Sequence, residues 1–295
     1  MAGVHDCKIA NFFVAKLVKE KTAPEKQGFH FGYLELLEGE TAPRRAAIYV
    51  TIATSLGFGS GALFTSGCLP FQNTLTPLSY YLYLPLTVVV LLAVMSVHEQ
   101  RTVRTAAWIR LPHFQRNLMV HCFAIFFAWA VTGMVIAIVP SELAVRDLLA
   151  WSGLTLFLVN GVGVLCQPAA RKMEPDRALR LGLILAPFGY VLLTLGVWLS
   201  WVWLILLGAA VSGSACYGFT YLGGLATVSA NAQHERARAI SGYFLFAYLG
   251  FSLPVILSGF LADWLGGMAG LLVFGAIVLL GNLTIYLSLK NRAFK

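Results

Sequence analysis

Two stretches of this chain continue for about fifty residues without a formal charge. Ala46 to Val97 holds 52 residues and Leu181 to Gln233 holds 53, with no Asp, Glu, Lys or Arg in either. As a single helix the first would extend about 78 Å, against a bilayer core of about 30 Å. Each stretch must therefore fold back on itself. The first breaks at Pro70-Phe71-Gln72-Asn73, just ahead of Pro77, and the second at Gly196-Val197-Trp198-Leu199-Ser200-Trp201.

Composition says what solvent such a chain needs. Of the 295 residues 58% are apolar and 12% are charged, and the mean hydropathy is +0.76. A soluble domain carries about 25% charged residues, and its single core stops growing near this length. The bilayer must take the remaining apolar surface. A soluble enzyme, a nucleic-acid-binding domain and a disulfide-stapled chain are thereby excluded. The net charge of +8 belongs to loops at a membrane surface. The five cysteines, Cys7, Cys68, Cys122, Cys166 and Cys216, are too far apart in sequence to make a metal motif and read as small buried hydrophobes.

Charges mark where spans stop. The pattern predicts an all-α integral membrane protein with eight spans: Ala46–Leu69, Leu78–Val97, Asn117–Val139, Leu148–Gln167, two within Leu181–Gln233, Ala239–Ala262 and Met268–Leu289. The basic residues alternate with that count. Seven precede the first span, four lie between spans two and three, four between four and five, two between six and seven, and three follow the eighth. Those segments share one side and hold 20 of the 21 Lys and Arg; only Arg146 lies on the other. Positive charge stays inside, which predicts a multi-pass protein of the cell membrane with both termini cytoplasmic. Trp151, Trp198, Trp201, Trp203 and Trp264 fall at the outer ends, as an aromatic belt would.

The domain reading is a cytoplasmic segment over 1–45, two spans over 46–97, a basic linker over 98–116, six spans over 117–289 and a tail over 290–295. Residues 1–45 show no secretory signal. Within the linker, Arg101, Arg104, Trp108 and Arg110 suit either an amphipathic surface helix or a solvated connection. Ala53, Gly57 and Gly61 stand four apart on the first span, and Ala210, Ser214 and Gly218 on the sixth; such spacing lets helices approach.

The seventh span echoes the first. With a shift of 193 residues, Leu56-Gly57-Phe58 meets Leu249-Gly250-Phe251 and Arg45-Ala46 meets Arg238-Ala239. Parallel repeats of this kind occur in transporters built of two halves. The chain resembles the major facilitator superfamily. Gly163-Val164-Leu165-Cys166-Gln167-Pro168-Ala169-Ala170-Arg171-Lys172 is similar to that family's G-x-x-x-D-R-x-G-R-K loop, keeping the first Gly and the closing Arg-Lys and replacing Asp, Arg and the second Gly. Glu235-Arg236-Ala237-Arg238-Ala239, Tyr248 to Pro254 and Gly259 to Asp263 resemble its tenth-to-eleventh-span stretch, and Tyr33-Leu34-Glu35 with Arg44-Arg45 resembles the loop leaving its fourth span. The fifth-span antiporter core G-P-x-x-G-G is not matched, since Gly61 is followed by Ala62-Leu63-Phe64.

The resemblance covers residues from Gly32 on and implies family spans five to twelve: an incomplete first half, a complete six-helix second half, and an N-terminally shortened chain. It implies Gly163, Arg171, Lys172, Arg236 and Arg238 as conformational-loop residues.

Polar groups inside a membrane are functional candidates because leaving them unpaired in lipid costs energy. Here they are His121, Asn160, Tyr217, Tyr221, Tyr248 and Ser252, with Trp129 two turns beyond His121. The bland alternative for each is interhelical hydrogen bonding. The resemblance implies that they line a solute cavity. No Asp, Glu, Lys or Arg lies inside any span, so His121 is the one side chain suited to coupling with a proton. The expected function is a secondary transporter, of permease or efflux type, moving a small-molecule solute by alternating access. It is expected to need the lipid bilayer, no nucleic acid and no cofactor, and not to be an enzyme. A half-built cavity favours self-association and poor transport by the chain alone. The alternative is a non-transporting remnant or membrane interaction partner; a membrane-embedded enzyme has less support, because paired acids and zinc-type His spacing are missing.

Overall fold

In a computed structural model, the structure describes residues 42–71, 78–95, 112, 114–232 and 235–292, with backbone alone for 42–51 and 292. The basic linker and the expectation of an amphipathic helix in it lie outside the described residues, as does the N-terminal segment to position 41. The described residues are helical and contain no strand. Among the described residues, eight helical segments are long and apolar enough to cross a membrane, Ile52–Phe71, Leu78–Met95, Met119–Val145, Leu149–Lys172, Pro175–Leu199, Val202–Asn231, Arg236–Leu265 and Gly267–Asn291. This is an all-α, multi-pass membrane architecture. The compact unit Ser55–Lys295 holds all of these segments but the start of the first.

The helices are α1 Ala42–Cys68, α2 Leu78–Met95, α3 Met119–Ala137, α4 Val139–Val145, α5 Ser152–Lys172, α6 Pro175–Leu199, α7 Val202–Gly213, α8 Tyr221–Asn231, α9 Arg236–Leu265 and α10 Gly267–Arg292. Several boundaries have visible causes. Pro140 sits in the first turn of α4, where its missing N–H is harmless, so the third span restarts there and continues to Val145. At the far end of α6, Ser200 adopts a left-handed conformation (φ 53°), and the Trp201 N–H donates to the Gly196 carbonyl at 2.9 Å, closing the helix before α7.

The family-like segment Gly163 to Lys172 is not a loop. It is the last half of α5, with Pro168 inside the helix. Arg171 and Lys172 occupy the last turn, where cations favour the exposed carbonyls. The helix stops at Met173, which is extended, and Glu174 is held away from helical geometry by Pro175 behind it. Arg236 and Arg238 are likewise in the first turn of α9, and Arg238 reaches Glu235 at 2.7 Å.

The core lies in the six spans after residue 118. Leu118, Ile125, Met134, Leu143, Tyr190, Leu193, Ile205, Tyr243 and Leu271 belong to one buried cluster, to which α5 adds Val159. Close approach depends on glycine. A Cβ on Gly133 would lie 2.6 Å from the Phe251 carbonyl oxygen, and one on Gly250 would lie 2.7 Å from the Cα of Phe126, so α3 and α9 touch backbone to backbone. The stripe expected on the first span does not work this way. Gly57 has nothing near its missing Cβ, and Gly61 has only the Tyr83 hydroxyl at 3.5 Å. Gly59 is the position that meets α5, at Phe157, and Ser66 faces Ser152 with their hydroxyls 3.4 Å apart.

Candidate functional site

Halfway along the sixth span the α-helix gives way to a π-helix, Ser214–Thr220. A π turn holds more residues than an α turn and displaces the carbonyls from their usual donors. Side chains of neighbouring helices donate to carbonyls in and just beyond this segment. The Gln167 amide of α5 donates to the Tyr217 carbonyl at 3.5 Å. The Tyr243 hydroxyl of α9 donates to the Tyr221 carbonyl at 3.2 Å and points also at that of Thr220, 3.4 Å away. Gln167 stands where the family motif has its Asp, and Arg171 donates to its side-chain oxygen at 3.0 Å. The motif-like arginine thus acts on the π segment through one glutamine.

Glycines let α5 press against this segment. A Cβ on Gly163 would meet the Cβ of Tyr217 and lie 2.6 Å from the Gly213 carbonyl oxygen. With α5 occupying that side, the Tyr217 ring projects toward α3 and lies 5.9 Å from the ring of Trp129. Trp129 also meets Tyr248 edge-on at 5.4 Å and Phe251 at 6.4 Å, both from α9. Three of the residues singled out in the sequence, Trp129, Tyr217 and Tyr248, therefore form one aromatic wall. It opens toward Tyr248, which is 61% exposed, while Trp129 and Tyr217 are half-buried. Ser252 is exposed one turn further along α9.

Behind the wall, Thr132 is fully buried with its hydroxyl beside Tyr217 and Cys216. The indole N–H of Trp129 is buried without a hydrogen-bond partner. Thr132 is the central residue of its span, and Tyr217 and Tyr248 lie near the centres of theirs. The site is therefore near the middle of its spans and built from neutral groups.

The other candidates separate from it. The four-residue spacing predicts that Tyr221 stacks with Tyr217. The π turn breaks that alignment, and Tyr221 instead packs 6.1 Å from Phe244 and is buried. Asn160 is buried, and its amide donates back to the Leu156 carbonyl of its own helix at 2.8 Å. His121 lies at the end of α3 near the basic segments, 3.6 Å from Asp176 at the start of α6, and Thr227 of α8 reaches the same carboxylate at 3.4 Å. This is a polar link between three spans at the membrane edge. Sequence reading missed Thr132, Gln167, Tyr243 and Phe251. Thr132 could have been found as the mid-span hydroxyl of an otherwise apolar helix; Gln167 and Tyr243 carried no such signal, because their roles depend on the π segment.

No group of three or more metal-ligating side chains occurs among the described residues. No protein-family model matches the chain, and neither does any curated protein.

Proposed function

We propose that this chain is a secondary transporter of the major facilitator type, with its solute path running along Trp129, Tyr217 and Tyr248. The observation that supports it best is the placement of that wall. It lies near the middle of its spans, on a helix whose regular hydrogen bonding is broken, where irregular backbone is tolerated only when protein or a cavity surrounds it. Binding at the midplane on discontinuous helices is the general design of secondary transporters. Arg171, through Gln167, ties the wall to the basic end of α5, a route by which rocking at the surface reaches the site.

The proposed orientation puts both termini in the cytoplasm of a cell-membrane protein. Reporter fusions at Asn73 and Trp201 are expected outside and one at Arg104 inside; any reversal removes it. The transport test is uptake by the purified 295-residue chain in liposomes, against sugars, organic anions, cationic drugs and neutral aromatic amides. Saturable uptake that falls at least about tenfold in Trp129→Ala supports the reading.

A second reading is favoured by one observation. In α2 only Ser79 is buried, so the opposing wall of a cavity is barely present among the described residues. A membrane interaction partner, self-associating or paired with another chain, would look like this. No uptake at any protein density, with a stable oligomer in detergent, decides for that reading.

A further inference from the structure

We infer that the Trp129 wall binds a neutral, flat solute that carries a hydrogen-bond acceptor, and rejects carboxylates and ammonium ions of the same size. The inference rests on the reading of this wall as a solute site. Three observations carry it.

The first is charge. Asn117–Val139, Leu148–Gln167, Leu181–Gln233 and Ala239–Ala262, which supply every helix of the wall and its backing, contain no Asp, Glu, Lys or Arg. An ion brought to the middle of the spans must be matched by an opposite charge or lose its hydration without compensation. None of the wall residues offers one. The second is the surface. Tyr217, Tyr248 and Phe251 pack against the Trp129 ring at 5.4 to 6.4 Å, and the exposed side of this cluster, at Tyr248, offers an aromatic surface on which a planar molecule can stack or lie edge-on.

The third is the unmet hydrogen bonding. The indole N–H of Trp129 can only donate, and it has no partner. The Thr132 hydroxyl, one turn away on the same helix, lies against Tyr217 and Cys216 behind the wall. A buried donor without an acceptor is costly, so a ligand that supplies a carbonyl or ether oxygen removes a penalty already present in the empty protein. An organic cation could lie over the rings by cation–π attraction, but it would leave the indole N–H unpaired. A carboxylate would satisfy the N–H and bring an unmatched charge. A neutral amide or similar group satisfies both conditions.

The test uses three probes that share one ring and differ in charge: benzamide, benzoate and benzylammonium. Binding is followed at neutral pH by saturation-transfer NMR on the full chain in nanodiscs of zwitterionic lipid, with empty nanodiscs as background. Saturable binding is expected for benzamide, at least about tenfold tighter than for either ion. Trp129→Phe keeps the ring and removes the donor, and is expected to weaken benzamide at least about fivefold; Thr132→Val is a second variant that removes only the hydroxyl. The inference is overturned if either ion binds as tightly as benzamide, if none of the three binds saturably, or if both variants bind benzamide as the parent does. Benzamide binding without uptake of any solute in liposomes would remove the transporter reading and leave this one. Uptake of a charged solute that is lost in Trp129→Ala would do the reverse.

Discussion

Helices α2 and α3 are nearly the same length and both strongly apolar. Yet α2 buries only Ser79, whereas α3 buries eleven residues, from His121 to Val135. Apolarity does not explain the difference, because lipid tails are as apolar as leucine and supply no force that drives one helix onto another. The difference is in small residues. Helix α3 carries Ala124, Ala128, Ala130 and Gly133 on its way past α9, and its backbone comes within contact of that helix. Helix α2 reads Leu-Ser-Tyr-Tyr-Leu-Tyr-Leu-Pro-Leu-Thr at its start and is large almost throughout. It is held to α1 by side chains: the Tyr83 hydroxyl donates to the Gly61 carbonyl at 3.0 Å, and Phe64 meets the Tyr83 ring at 5.6 Å.

That contrast can be broken most sharply at two glycines. Gly250→Ala forces a Cβ into the Phe126 backbone, and over-packing of this kind costs about 1–3 kcal/mol. The melting midpoint in detergent is expected to fall by about 2–12 °C. Gly57→Ala, where the added atom meets nothing, is expected to leave it unchanged. Equal effects at the two sites would mean that close approach is not what separates the six-span region from α1 and α2.

A step smaller is the support of the π segment. Tyr243→Phe removes the hydroxyl's bond to the Tyr221 carbonyl in a buried place, and a hydrogen bond of this kind contributes about 0.5–1.5 kcal/mol. A midpoint lowered by several degrees, with uptake or benzamide binding weakened alongside, is the expected result. If stability falls while binding at Trp129 is untouched, the π segment and the wall are independent.

Removal of α1 and α2 should do less than either. A chain starting at Arg110 keeps every helix that contributes to the large buried cluster. It is expected to insert and to resist proteolysis as the full chain does. Rapid degradation of the shortened chain alone would show that the sparse contacts at Gly59 and Ser66 hold the fold together.

The smallest effect is expected at the membrane edge. Asp176 is half exposed, and its contact with His121 at 3.6 Å is long. Pairs of this kind contribute about 0–1 kcal/mol. Asp176→Asn should therefore move the midpoint by no more than a degree or two, checked in the same melt.

Part of the wall is legible in the sequence, for specific reasons. Trp129, Tyr217 and Tyr248 are amphipathic aromatics near the middle of uncharged spans, a property they share with Tyr190, which the structure buries in the core. The same reasoning selects His121 and Asn160, and the structure sends them elsewhere: one pairs at the membrane edge, the other bonds to its own backbone. Polarity in lipid demands a partner, but the sequence does not say whether the partner is a ligand, another helix or the preceding turn.

The sequence by itself determined that the chain folds as helices apolar enough for a bilayer, and close to where each of the eight spans among the described residues ends. Those properties follow from local quantities: the length of an uncharged run, the position of a proline, the place where a charge interrupts. The tertiary structure decided the rest. It turned the motif from Gly163 to Lys172 into a helix end, opened a π turn under Tyr217, and parted Tyr217 from Tyr221. Helical periodicity assumes that every turn is alike. The sixth span widens into a π segment where Gly163 of α5 packs on Gly213 and Tyr217, and beyond it the faces no longer follow the α-helical period.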